Sequence, residues 1–480
     1  MQKISVKTIY LILVISIGLV GLGVGSTFAM FTASSEIDNP ISFTAGIFGE
    51  SDVIETVEVT VPAGETKATN LHVTNSTNSN LNYVMWYIDE GLDIELGSKR
   101  TDSGTYQTTI GAGEEHQYEV SIRNNSNSDV TVVIGVSSGT GSVTLSSDMK
   151  MVPQSELKPT LASVITNLYN NSTKTPVVNN SITYQYDTTN NLMQDTAGNI
   201  RYYGATPKNY VYFNCDSYPS TNCELWRIIG VFDGKIKLMR NETIGKYSWD
   251  TSASSVNSGS GVNEWSQADL MKLLNPGHES ESVGGSLYYN SKSGTCYSGQ
   301  SNATTSCNFT STGIKNDTTR NMIADTTWNL GGWSSSEVFS NVMYEKERGI
   351  ATVSNPSDGL TRTTQWTGKI ALAYPSDYGY ATDLSKCSQT LSYYSNSTCK
   401  SNDWMYSIFK TSGSDNNWLL TPDSRDGFYA FYVYSTGGGG NAGYFIHLAY
   451  GVAPVLYLSS DQDIVSGGGS QSNPYQLAGN

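Results

Sequence analysis

Through the first third of the chain, apolar and polar positions alternate in short runs. Val57-Glu58-Val59-Thr60-Val61 and Tyr118-Glu119-Val120-Ser121-Ile122 alternate strictly, residues 130–136 and 142–145 less so. A period of two buries one face of a strand and wets the other. Turn residues at Pro62-Ala63-Gly64, Gly111-Ala112-Gly113 and Asn124-Asn125-Ser126-Asn127 separate the runs. Short alternating strands with polar turns predict an antiparallel β-sandwich over residues 32–155. A polar linker is expected next, over 156–181, with one short helix at 161–168.

From residue 182 to 480 the pattern changes. Residues 225–232 and 235–239 are apolar strands joined by Asp233-Gly234, a pair suited to a type I′ hairpin turn. A helix is expected at 265–274, with Ser266 and Asp269 as a capping box and Asn275-Pro276-Gly277 as its stop. A second helix is expected at 318–328, and strand character returns at 369–374 and 431–434. Strands, inserted helices and long loops make this unit α+β, and the whole chain an α+β multidomain protein.

Composition narrows the setting. Charged residues are 15% of 480, and 31 tyrosines with abundant Ser, Thr, Asn and Gly supply the polar balance, as in β-rich extracellular proteins. Residues 50–155 hold 15 acidic against 5 basic side chains, so −10 of the net −15 sits there. That unit reads as a solvated acidic stalk. An acidic chain repels nucleic acid and anionic membrane surfaces alike. At the N-terminus, Lys3 and Lys7 precede an uncharged run and then Ser26-Thr27-Phe28-Ala29. Residues 1–31 thus read as an export signal cut after Ala29, or as an uncleaved anchor, the one expected contact with a membrane.

Two resemblances add to this. Thr27-Phe28-Ala29-Met30-Phe31-Thr32, with Asn39-Pro40-Ile41-Ser42-Phe43-Thr44-Ala45-Gly46, resembles the leader class of the biofilm-matrix protein TasA, which implies export from a Gram-positive cell. In the C-terminal unit, Leu225-Trp226-Arg227-Ile228-Ile229-Gly230, Asn263-Glu264-Trp265-Ser266, Tyr374-Pro375-Ser376-Asp377-Tyr378-Gly379, Trp418-Leu419-Leu420-Thr421-Pro422 and Tyr450-Gly451-Val452-Ala453-Pro454-Val455-Leu456 occur in order. The series resembles an uncharacterised surface-domain family of gut Firmicutes. That resemblance implies a C-type-lectin-like, formylglycine-enzyme-related fold. The family pattern has Arg where this chain has Ala453, which implies a looser core ion pair beneath the last loop.

Candidate chemistry is sparse. Cys215, Cys223, Cys296, Cys307, Cys387 and Cys399 all lie in the C-terminal unit, an even count suited to disulfides in an exported chain. Fifteen connectivities are possible. Nearest-neighbour pairs (215–223, 296–307 and 387–399) are favoured because each brackets a Ser/Thr/Asn-rich loop, with reduced thiols as the alternative. The spacing offers no zinc motif, and there is no Asp-x-Asp-x-Asp-Gly calcium loop. His72, His116, His278 and His447 are scattered, and Glu345 and Glu347 sit in a run that reads as a solvated charged turn. No catalytic residue, cofactor or metal site is expected.

Trp226, Trp265 and Trp418 read as core, while Trp249 and Trp366, in polar surroundings, are candidates to reach a ligand. Residues 424–450 lack Lys, Glu, Gln, Met, Trp, Pro and Cys and are rich in Tyr, Gly and Ser, the composition of binding loops. Phe428, Tyr429, Tyr432, Tyr434, Tyr444 and His447 are the candidate ligand-binding residues, on an exposed platform. The bland alternative is an ordinary glycine-rich hairpin. Each residue type in the segment is reachable from an AAC codon by changing its adenines, which is compatible with an interchangeable surface.

The expectation is therefore a non-catalytic, exported cell-surface protein. It would bind a glycan or a surface protein of a host or of neighbouring bacteria. The alternative is a structural matrix or fibre subunit of the TasA type.

Overall fold

The computed structural model describes residues 41–45, 47–48, 51–88, 91–251, 260–349, 361–411, 416–437 and 444–479, with backbone alone at 41–55, 411 and 444. Residues 1–31, expected to be an export signal or anchor, lie outside the described residues. No helix among them is long and apolar enough to cross a membrane.

Among the described residues the first unit has ten strands: β1 (Ile41–Ala45), β2 (Ile47–Phe48), β3 (Ser51–Val61), β4 (Thr66–Asn75), β5 (Leu81–Ile88), β6 (Ile94–Arg100), β7 (Thr109–Ile110), β8 (Glu115–Asn124), β9 (Val130–Gly139) and β10 (Met149–Met151). They form one sheet in the order β1-β4-β8-β6 and another in the order β10-β5-β9-β3-β2, with β7 paired to β5. Apart from parallel β1 and β4, neighbours run antiparallel. Alternate residues such as Val57, Val59, Val61, Leu71, Val73, Val120 and Ile122 fill one core, the burial that alternation predicts. Residues 142–145 are not a strand, because the ladder of β9 with β3 and β5 ends at Gly139.

Two asparagines close the sheet ends. At the end of β4, Asn75 donates to the carbonyls of Ser79, Ile110 and Gly111, and its Oδ1 accepts from Thr77 N–H and hydroxyl. At the end of β8, Asn124 donates to Val61, Pro62 and Ser128 and accepts from Ser126 in the same way. Both are buried, and each ties its strand end to carbonyls of two neighbouring segments, so its own polar atoms are satisfied.

The expected linker is mostly structured. Helix α1 (Leu161–Asn170) is capped by Thr160 and packs Leu161, Ala162, Ile165 and Tyr169 into the second core. Strand β11 (Thr175–Asn179) begins the large sheet, followed by β12 (Ile182–Asp187), β13 (Leu192–Gln194), β14 (Ile200–Tyr202), β15 (Tyr210–Phe213), β16 (Glu224–Phe232) and β17 (Lys235–Arg240). The sheet runs β11-β12-β13-β14-β16-β15 and continues through Tyr475–Leu477 to Ile464–Ser466. Arg123 of the first unit, buried, pairs with Glu95 and with Asp463, just before the Ile464–Ser466 strand, at 2.8 and 3.0 Å, which ties the units together.

The β16–β17 hairpin turns at Asp233 (φ 48°) and Gly234 (φ 72°), both left-handed as a type I′ turn requires. The expected helix at 265–274 is broken: a 3-10 turn at Trp265–Gln267 precedes a helix at Asp269–Leu274. Ala268 between them is extended. Glu264, not Ser266, caps the first turn, and Asp269 N–H donates to Asp250 instead of completing a capping box. The helix expected at 318–328 is confined to Asp317–Met322, and Thr326–Asn329 is a strand paired with Gln365–Gly368. Strand at 369–374 shortens to Ile370–Ala371, because Pro375 opens a helix at Pro375–Ala381.

Behind the sheet lies a buried charge network. Arg201 of β14 meets Asp195 at 2.6 Å and Asp377 at 2.8 Å, and Lys237 of β17 meets the other Asp377 oxygen at 2.5 Å. All four side chains are at most 1% exposed. Burial pushes the Asp377 carboxyl up, but the two cations outweigh it and hold it at about 2. Burial lowers the Lys237 ammonium to about 8 despite Asp377. Glu347 is not in a solvated turn. It ends the helix Ser340–Glu347, fully buried, and accepts from the Ser376 N–H (2.8 Å) and hydroxyl (2.5 Å).

Burial raises Glu347 to about 7, and Asp403, which caps the helix Trp404–Thr411, also to about 7. A carboxyl raised on folding holds its proton longer in the native state, so stability falls as pH climbs from the unfolded value near 4 to above 7. The shifts are worth at most about 3 kcal/mol for Glu347 and about 4 kcal/mol for Asp403. Calorimetry is expected to give a lower Tm at pH 7.5 than at pH 6. A rising Tm over that interval would contradict the assignment.

Candidate functional site

The segment singled out by composition contributes to a five-stranded sheet in the order Lys246–Tyr247, Tyr450–Gly451, Asn417–Pro422, Tyr429–Val433, Tyr444–Phe445. Antiparallel register sets Trp418 opposite Tyr432, Tyr429 opposite Phe445 and Ala430 opposite Tyr444. Residues 438–443, with their glycines, lie outside the described residues.

This sheet sorts the candidates into two layers. In the inner one Tyr432 is fully buried, with ring centroids 6.3 Å from Trp418, 4.7 Å from Tyr434 and 5.7 Å from Tyr450. Tyr432 is therefore framework, a correction to its expected place on the platform. Strand Tyr429–Val433 is covered on both faces, so alternation exposes nothing at 430–433. Tyr434 is half-buried against it.

The outer layer holds Phe428, Tyr429 and Phe445. The Phe428 and Phe445 rings lie nearly parallel, 9° apart with centroids at 5.6 Å, and Tyr429 meets them edge-on at 4.6 and 5.0 Å. Phe445 is 39% exposed and Phe428 and Tyr429 are partly so, a small apolar surface with a hydroxyl at one side. His447 closes the cluster 5.2 Å from Phe445, but at 8% exposure it is a supporting residue rather than a contact. Burial lowers its pKa, which keeps the imidazole neutral at pH 7. Tyr444 is placed by its backbone alone.

Phe445 was not among the expected residues. Its only sequence signal is an apolar residue inside a Tyr/Gly-rich segment, and cross-strand register does the rest.

The loop between the two central strands carries Phe428 and is pinned from below by Asn263, which is 1% exposed. The Asn263 carboxamide donates to the carbonyls of Asp423, Asp426 and Tyr429 at 3.1, 2.9 and 2.8 Å, and its N–H donates to Gly427 at 2.7 Å. Its Oδ1 accepts from Arg362 Nε at 3.1 Å, while Arg362 also donates to the Gly427 carbonyl at 3.1 Å. Ser424 N–H donates to the Trp333 carbonyl, and Ile446 N–H to that of Phe428.

Comparison with protein-family models, with curated proteins and with solved structures found no match.

Other candidates fall elsewhere. Trp249 is fully buried, its indole donating to the Leu419 carbonyl, so it cannot reach a ligand; Trp366 is half-buried against Trp265. Ala453, at the position where the resembling family has Arg, is buried in the apolar core. The six cysteines form the three expected pairs, Cys215–Cys223, Cys296–Cys307 and Cys387–Cys399. Disulfides fit an oxidising, extracellular setting.

Among the described residues no cluster of three His, Cys, Asp or Glu is arranged to hold a metal. A polar depression of about 360 Å³ in the first unit is lined by Arg100, Gln107, Glu114 and His116. Its charged groups are engaged internally: His116 with Tyr83 at 2.7 Å, and Arg100 with Asp102.

Proposed function

We propose that the chain is an exported, non-catalytic surface protein that binds a glycan or a protein through its C-terminal aromatic loops. In this reading the acidic sandwich is a stalk and the C-terminal unit a C-type-lectin-like recognition domain. The observation that carries it is the Phe428, Tyr429 and Phe445 cluster, which places apolar rings at the surface above a fully buried aromatic layer. Rings exposed together on a rigid base are what hot-spot contacts use. The three disulfides and the leader motif support export.

The test is a glycan and host-protein array probed with the mature chain and with the Phe428→Ala/Tyr429→Ala/Phe445→Ala variant. Binding by the wild type is expected to drop at least about tenfold in the variant, as removal of hot-spot aromatics does. Equal binding by both would remove the cluster from recognition.

A matrix-subunit reading has one observation in its favour: edge strand β11 carries Val178, 69% exposed, and open apolar edges template strand addition. Sedimentation of the same mature chain as large assemblies would favour that reading, and a persistent monomer would count against it.

A further inference from the structure

We infer that Asn263, backed by Arg362, fixes the conformation of loop 423–429 through its main chain, leaving the side chains that face outward exchangeable. The bonds reaching the loop from Asn263, Arg362, Trp333 and Ile446 all end on loop carbonyls or N–H groups. Inside the loop, Asp423, fully buried, is the side chain that shapes it. Its N–H donates to the Tyr429 carbonyl, and its carboxylate accepts from Arg425 N–H and guanidinium.

By contrast Phe428 and Tyr429 pack on each other and on Phe445, within the cluster they form. A buried carboxamide offers two donor hydrogens and an acceptor, and here they serve three carbonyls and a guanidinium at once. The geometry of these bonds does not depend on which side chains the loop displays.

Asn263 is thus a positioning residue for the proposed recognition surface. The inference rests on that reading for its biological meaning, but its measurement needs no ligand, so a surface that binds nothing leaves the result intact.

The experiment is hydrogen exchange on the mature full-length chain, followed by mass spectrometry. Asn263→Asp keeps the shape and the acceptor for Arg362 but replaces the donors with a second acceptor facing three carbonyls. Amide protection across 423–430 is expected to fall by about tenfold or more, with β16 and β17 unchanged, as in local unfolding. The Phe428→Ala/Tyr429→Ala/Phe445→Ala variant is expected to keep loop protection within about threefold of wild type.

Retained protection in Asn263→Asp, or loss in the triple variant as large as in Asn263→Asp, would overturn the inference. Should Asn263→Asp fail to fold, the triple variant decides alone: a protected loop supports the inference and a deprotected one sinks it.

Discussion

Replacing Asp377 with alanine is expected to cost about 3–5 kcal/mol and to lower Tm by about 10 °C, because it strands a buried ammonium. Arg201 keeps a second carboxylate in Asp195, 2.6 Å away. Lys237 has no second carboxylate among the described residues. The rings of Phe232, Trp328, Tyr374 and Tyr457 surround it, Tyr374 nearest at 4.4 Å, and none accepts a proton or a salt bridge.

The converse change should be mild. Lys237→Met leaves Asp377 paired with Arg201 and fills an aromatic cage with an apolar, flexible side chain, at a cost of about 1 kcal/mol or less. The two variants also separate by pH. In Asp377→Ala the folded Lys237 pKa drops further below its unfolded value. The unfolded state then binds more protons, and stability rises with pH through that window. Its deficit is expected to shrink between pH 7 and 9.5. Thermal melts in which both variants lose the same stability, at every pH, would show that the network is not organised around Asp377.

Removal of the three disulfides is the second large effect. Closing loops of 8, 11 and 12 residues in separation stabilises by about 2–3 kcal/mol each on the chain-entropy estimate. Together they rival the whole stability of a typical domain. Cys387–Cys399 alone, removed as the double serine variant, is expected to lower Tm by about 5–10 °C. Its loop also anchors the start of the large sheet, because Asn179 donates to the Leu384 and Cys387 carbonyls at 3.1 and 2.9 Å. Peptide mapping without reductant should return the three neighbour pairs. A mature chain whose Tm is the same with and without strong reductant would show that these bridges do not restrain the fold.

Local chemistry was legible wherever a few adjacent residues decide it. Asp233-Gly234 needed no partner to announce a type I′ turn, and each cysteine pair encloses its own loop. What failed depended on distant chain. Glu347 stands in a run of charges, yet Ser376 reaches back across the helix start to bury it. Ala268 breaks a helix because Asp269 turns to Asp250 rather than to Ser266. The linker looked polar because Asn, Thr and Ser crowd its second half, but the apolar face of its helix (Leu161, Ala162, Ile165 and Tyr169) enters the main core.

At the candidate site, composition singled out the segment and could not tell its layers apart. Tyr432 and Phe445 differ in exposure only because sheet neighbours cover one and spare the other. Asn263 stands in a motif of the family resemblance, but far from the segment in sequence, and nothing there ties it to the loop.

The buried asparagines that close the sandwich ends bear on how the protein can be made. Asn75-Ser76-Thr77 and Asn124-Asn125-Ser126 are both acceptor sequences for N-linked glycosylation. Each acceptor amide is already committed to three carbonyls in the folded unit. A glycan added there during synthesis would stand where β4 and β8 must close, so passage through a eukaryotic secretory route would oppose folding. A route without N-glycosylation leaves both side chains bare.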